Sequence, residues 1–125
     1  MVLVDTSVWI RFFGGRESYL GEMVRILDAD EVAAHDLVYG ELLVGDRGGR
    51  RKFLESYGRR PRAGMVPHEE VVSLARTREL WGKGVGWMDV HLLASAAASG
   101  ARLWTADAPL HAAAVRLGVE HRLHP

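Results

Sequence analysis

The sequence predicts an α/β fold, a parallel sheet of about four to five strands flanked by helices, within one domain spanning residues 1–125. Three observations predict it. Short apolar, β-branched segments alternate along the chain with stretches whose apolar residues recur at helical spacing. The first of them, Val2-Leu3-Val4, carries no polar position, as a strand covered on both faces requires. Finally, 125 residues that are 48% hydrophobic make a chain able to bury roughly two thirds of its unfolded surface in one core.

The elements follow in order. Val2 to Val4 reads as a strand that ends in the carboxylate of Asp5, and Thr6 and Ser7 supply helix-starting hydroxyls. From Ser18 onward, Leu20, Met23, Val24 and Leu27 hold the i, i+3, i+4, i+7 spacing of an amphipathic helix. Glu31 to His35 reads as a second strand, and Asp36 is placed to cap a helix running to about Leu43. Phe53, Leu54 and Tyr57 have partial helical spacing, ending at Arg60-Pro61. Met65-Val66 is a candidate third strand, followed by a helix from Pro67 that carries Val71, Leu74 and Ala75. A glycine-rich loop, Trp81 to Trp87, leads into a small-residue helix from about Asp89 to Ser99, closed by Gly100. Arg102 to Thr105 reads as a fourth strand, Asp107 and Pro109 open the last helix, and Val119 to Leu123 is a possible final strand.

Composition narrows the function classes. There is no cysteine, which excludes thiolate zinc sites and disulfide frameworks. The longest run without a charged residue or His, Leu92 to Ala101, is too short to span a bilayer, and Asp5 arrives before any signal-peptide pattern develops. A cytoplasmic protein with no membrane partner is expected. Acids and bases balance at 16 each, but Arg47 to Arg62 holds seven basic residues and one acid, Glu55. That stretch is therefore +6 and the remainder −6, so one surface suits a polyanion while another concentrates carboxylates. Asn and Gln are absent, so recognition of bases or phosphates falls to Arg, hydroxyls, His and backbone amides.

Asp5 follows the first strand and Asp107 lies just past the fourth, so parallel pairing projects both at one edge of the sheet, where α/β folds bind ligands. Glu41, spaced with Leu37, Val38 and Val44, is expected on the apolar face of its helix, a costly place for a bare carboxylate. Asp89 opens a helix whose first turn points to the same edge. Asp89 and Asp107 also have a plain reading as helix caps. Four crowded carboxylates raise one another's pKa unless a cation lies among them, and hard oxygen ligands without thiolate suit Mg²⁺ or Mn²⁺.

Four segments then carry a resemblance. Val2-Leu3-Val4-Asp5-Thr6-Ser7-Val8-Trp9-Ile10, Val38-Tyr39-Gly40-Glu41-Leu42-Leu43-Val44-Gly45, Asp89-Val90-His91-Leu92-Leu93-Ala94-Ser95-Ala96 and Leu103-Trp104-Thr105-Ala106-Asp107 are similar to the motifs of the PIN-domain ribonucleases. In its length the chain resembles the VapC toxins of toxin–antitoxin pairs. The resemblance implies a PIN-like sheet flanked by helices and a Mg²⁺- or Mn²⁺-dependent endoribonuclease that cuts RNA with a metal-activated water. It also implies a homodimer inhibited by a cognate VapB-type antitoxin. Carried over by position, Asp5, Glu41, Asp89 and Asp107 are the catalytic acids, with Asp5, Asp89 and Asp107 holding metal. Thr6, Ser7 and Thr105 are the supporting hydroxyls. The sequence departs at Pro109, where many family members carry a further Asp, which leaves one or two metal ions open.

Other features stay ambiguous at this level. Arg47, Arg50, Arg51, Lys52, Arg59 and Arg60 are candidates to hold an RNA backbone, to meet an antitoxin, or to form a solvated face. Trp9 and Trp104 read as core, whereas Trp81 and Trp87 flank the glycine loop and are candidates to stack on unpaired bases. His35 and His91 are candidate edge residues of the acidic site, and His121 and His124 are expected at the surface. Haloacid-dehalogenase-like phosphohydrolases also place Asp after a first strand, but they need a second Asp where Ser7 stands. Receiver domains need a late Lys, and the last here is Lys83. The non-enzymatic alternative is a catalytically inactive PIN-like module that binds RNA or an antitoxin.

Overall fold

Strand β1 (Val2–Val4) forms the centre of a three-stranded parallel sheet in the computed structural model, which describes residues 1–123. β2 (Val32–Ala33) pairs on one side and β3 (Arg102–Trp104) on the other. The register sets Val2 and Leu3 against Val32 and Ala33, and Val2, Leu3 and Val4 against Arg102, Leu103 and Trp104. All three β1 side chains are buried, so both faces of the central strand are covered. Seven helices supply the cover among the described residues: α1 (Thr6–Phe13), α2 (Glu17–Asp28), α3 (Asp36–Gly45), α4 (Arg51–Gly58), α5 (His68–Thr77), α6 (Trp87–Ser99) and α7 (Ala108–Leu117). Trp87 thus begins α6 two residues ahead of the expected Asp89, and Gly100 closes it at φ 73°, the left-handed conformation that glycine adopts without penalty.

The sheet is smaller than the four to five strands expected. Met65-Val66 forms no strand; the edge beyond β2 is instead met three residues earlier, where Ala34 bridges Arg62. The Ala34 N–H donates to the Pro61 carbonyl and the Ala63 N–H to the Ala34 carbonyl, both at 2.8 Å. Pro61 has no N–H with which to lengthen that ladder. Beyond β3 the expected last strand shrinks to one bridge, Leu103 with Glu120, made by Leu103 N–H to Val119 O at 2.7 Å and His121 N–H to Leu103 O at 2.9 Å.

Trp9 and Trp104 are buried as expected. Trp9 sits in an aromatic cluster with Phe12, Phe13, Phe53 and Tyr57, ring centroids 4.9 to 6.0 Å away. The apolar residues of α2 and α4 largely turn inward, with Met23, Ile26, Leu54 and Tyr57 buried. Burial pushes the Tyr57 phenol up to about 12, and its oxygen accepts the His35 backbone N–H at 2.9 Å.

Two histidines depart from expectation. His35 is fully buried in the core instead of edging a site, and it, not Asp36, caps α3: its Nδ1 accepts the Leu37 N–H at 3.1 Å. Nε2 therefore carries the ring proton and donates to Ser95 Oγ at 2.9 Å, in a site whose burial lowers the imidazole pKa and keeps it neutral. His121 packs against Trp104 and hydrogen-bonds Glu22, with side chains only 7% and 8% exposed. Its expected surface partner, His124, lies outside the described residues.

The Glu22 site yields a pH prediction. A 2.7 Å bond from the Arg25 guanidinium, helped by His121 and opposed by burial, holds the Glu22 carboxyl at about 2 against an ordinary 4.5. A depressed folded pKa stabilises fully above the unfolded value and loses that contribution as pH falls through the folded one. Glu22→Gln is therefore expected to lose about 1–3 kcal/mol at neutral pH. Urea denaturation of both proteins should show the gap closing between pH 4.5 and about 2. A gap that stays constant down to the lower limit would mean that the carboxylate charge is not what stabilises this corner.

Candidate active site

The pairing of Val4 with Trp104 sets Asp5 beside Thr105, and the Asp5 N–H donates to the Trp104 carbonyl at 2.8 Å. Strand order reverses at β1, so the crevice at the carboxyl edge of the sheet opens at Asp5. Asp5 occupies the N-cap position of α1, yet its side chain makes no capping bond. Instead Oδ2 accepts Ser7 Oγ at 2.7 Å and Thr105 Oγ1 at 2.8 Å. Each hydroxyl also accepts a backbone amide, Ser7 from Ala106 at 3.0 Å and Thr105 from Asp107 at 3.1 Å. A hydroxyl has one proton, so the 3.3 Å approach of Ser7 to Thr105 is a contact and not a further bond. The pair clamps the end of β1 to the turn after β3 around Asp5, a residue only 6% exposed.

The other acids arrive on helices. α3 brings Glu41, whose Oε1 accepts Thr6 Oγ1 at 2.6 Å. The expectation that Glu41 lies on an apolar face is wrong: Val38 and Leu42 form the buried face, and Glu41 is exposed along with Leu43 and Val44. No buried-charge cost arises there. Asp89 on α6 accepts the Gly86 N–H at 3.0 Å, and Asp107 caps α7 by accepting the Leu110 N–H at 3.2 Å. Both are caps, and both also stand among the acids. Burial, with the charges of Asp5, Asp107 and Glu41, raises the Asp89 pKa against the opposing Gly86 N–H.

A cleft of about 430 Å³ gathers Asp5, Thr6, Ser7, Glu41, Trp87 and Asp89, with Asp107 beside it and outside its lining. Among the described residues, no three His, Asp or Glu side chains form a ready-made ligand cluster. The donor set nevertheless fits a hard cation: carboxylate oxygens, and an acid whose pKa is raised by burial and, to a lesser extent, by neighbouring anions. Mg²⁺ needs only one or two carboxylates because it retains waters. Sequence reasoning missed Ile10, Gly86 and Met88 in the cleft. Ile10 was legible, since it follows Thr6 by four residues on one helix face. The Gly86 amide was not, because backbone donors leave no trace in residue type.

Most of the basic stretch has structural employment. The Arg50 guanidinium lies 4.2 Å from the Phe13 ring centroid, Arg51 pairs with Glu55 at 3.5 Å and Arg60 with Asp30 at 3.8 Å. Arg62 pairs with Asp36. Arg47, Lys52 and Arg59 make no ion pair among the described residues.

A family model for the PIN domain matches residues 2–115. The chain belongs to the PIN-domain family. It is 42% identical over 120 residues to Ribonuclease VapC32 of two Mycobacterium tuberculosis strains, across 95% of this chain and 94% of the relative, which makes it a VapC-type member. The crystal structure of PAE2754 from Pyrobaculum aerophilum has the same fold, with a TM-score of 0.54 at 20% identity over 95% of this chain and 96% of that one. In this PIN domain the departure at Pro109 has a packing role. A Cβ on Gly84, at φ +78°, would stand 3.3 Å from both Cβ and Cγ of Pro109, so the glycine-rich loop lies directly on the first turn of α7. No helix among the described residues is long and apolar enough to cross a membrane.

Proposed function

We propose that this PIN domain is a metal-dependent endoribonuclease, the toxin of a type II toxin–antitoxin pair, and that it hydrolyses RNA phosphodiester bonds in the acidic cleft. The convergence of Asp5, Glu41 and Asp89 at the carboxyl edge of the sheet, with Asp107 beside them, carries this reading. The similarity to Ribonuclease VapC32 supports the substrate class.

Asp5, Asp89 and Asp107, completed by Glu41, would hold Mg²⁺ or Mn²⁺. When bound, such an ion supplies a Lewis acid for the phosphodiester and activates the hydrolytic water. The chain's own contribution is position. Ser7 and Thr105 fix Asp5, Thr6 fixes Glu41 and the Gly86 amide fixes Asp89. Ser7 and Thr105 act as positioning groups rather than nucleophiles, because each hydroxyl proton is committed to Asp5 while each oxygen accepts an amide. Arg47, Lys52 and Arg59, which make no ion pair among the described residues, are the cations of the basic stretch left to meet an RNA backbone, with affinity that falls as salt rises. A cytoplasmic homodimer held inactive by a VapB-type antitoxin completes the proposal.

The test is cleavage of total RNA by antitoxin-free protein with Mg²⁺, with Mn²⁺ and with chelator, beside an Asp89→Asn control, with new ends mapped by sequencing. Metal-dependent cuts lost in the variant are expected. One observation favours a second reading, an inactive module that binds RNA or antitoxin: no ready-made ligand cluster stands among the described residues. Folded protein that binds RNA but leaves it intact with either metal would establish that reading instead.

A further inference from the structure

An apolar groove adjoins the acidic cleft and shares Trp87 with it. Its volume is about 330 Å³, and it is lined by Val72, Leu80, Trp81, Val85 and Val90 with Arg76 at its side. Trp81 is 64% exposed and Trp87 46%. Two such indoles on one surface leave apolar area in water that a folded chain ordinarily covers. Trp87 is braced, with the imidazoles of His68 and His91 at 5.5 and 5.1 Å and tilted 61° and 84° to its plane. The loop between the two tryptophans runs close against Pro109, where a Cβ on Gly84 would stand 3.3 Å from the proline ring.

We infer that this groove is a nucleobase subsite, in which an unpaired base next to the scissile phosphate stacks on Trp87 while a neighbouring base or ribose meets Trp81. The inference rests on the ribonuclease reading of the acidic cleft and names its substrate as single-stranded. Three observations favour RNA as occupant. Trp87 lines both spaces, so a base stacked on it lies beside the acids. Arg76 and Lys83 make no ion pair among the described residues, and aromatic platforms flanked by free cations are how proteins hold single strands. The groove lining contains Arg76 and no acid, a charge that suits a polyanionic strand.

The test uses the full chain in chelator, so that binding is read without cleavage. The probes are a labelled single-stranded RNA 12-mer of mixed sequence and the duplex of the same strand, titrated against wild type, Trp87→Ala, Trp87→Phe and Trp81→Ala, with sedimentation of each. Trp87→Ala is expected to bind the single strand roughly 5- to 150-fold more weakly, the range of one base–aromatic stack. Trp87→Phe should retain most of the affinity, and duplex binding should not change. Trp81→Ala, altered at a mostly exposed side chain, gives a second reading if the Trp87 variant is poorly folded. Wild-type single-strand affinity in both alanine variants overturns the subsite, as does a change of oligomeric state in place of affinity, which would assign the groove to a protein partner. Metal-dependent cleavage by wild type alongside unaltered binding by the variants removes the subsite and leaves the nuclease. Stacking-dependent binding without cleavage under any metal does the reverse.

Discussion

Asp5→Asn is expected to lower RNA cleavage by about 100-fold or more while the fold persists, because loss of a group that merely supports a metal ligand already costs 10- to 100-fold. Asn keeps the shape of the side chain and an oxygen able to accept the Ser7 and Thr105 hydroxyls, so the clamp between β1 and the turn after β3 survives. What disappears is the charge. Stability should hold or rise slightly, since one of four mutually repelling carboxylates is gone. Thr105→Val makes the paired prediction. It is nearly isosteric, but it removes the 2.8 Å bond to Asp5 and leaves the Asp107 amide without its acceptor, so a loss of roughly 10- to 100-fold is expected, with Thr105→Ser largely restoring the rate. Single-turnover cleavage of one labelled RNA, with thermal melts as folding control, measures both. A folded Asp5→Asn protein that cuts at the wild-type rate would remove the acidic cleft from the mechanism.

Trp9→Ala is expected to cost about 3–5 kcal/mol, a large part of the roughly 5–15 kcal/mol that holds a domain together. Trp9 is wholly buried and touches four other aromatic rings drawn from α1 and α4. Its indole Nε1 is also buried without a hydrogen-bond partner among the described residues, which costs the folded state on the order of 1–3 kcal/mol. Trp9→Phe gives up volume but sheds that orphaned donor, so its loss should be much smaller, on the order of 1 kcal/mol. Urea denaturation midpoints separate the two variants. Equal losses would show that the cluster does not discriminate ring size and that the orphaned donor has no weight. Because α1 also carries Thr6 and Ser7, loosening it should weaken the clamp on Asp5 as well.

Asp5, Asp89 and Asp107 were legible in the sequence because each sits next to a strand end or helix start that local pattern marks. Apolar runs stop at Asp5 and near Asp107, and the small-residue helix begins beside Asp89. Thr6, Ser7 and Thr105 were legible as hydroxyls near those acids, although only the structure assigns Thr6 to Glu41 and the other two to Asp5. Glu41 was placed on the wrong face because α3 is apolar nearly all round, so its spacing does not say which side packs.

What the sequence determined by itself was local: the order of strands and helices, the burial of Trp9 and Trp104, and the acids at element ends. Each follows from side-chain periodicity or capping within a few residues. The tertiary structure decided whatever depends on partners far along the chain. It reduced the sheet to three strands with single bridges at its edges, and it took His35 and His121 into partnership with Ser95 and Glu22, 60 and 99 residues away. It also set Trp87 between the acidic cleft and an apolar groove. Such pairings are selected by packing and by satisfaction of buried polar groups, energies that arise only once distant segments meet.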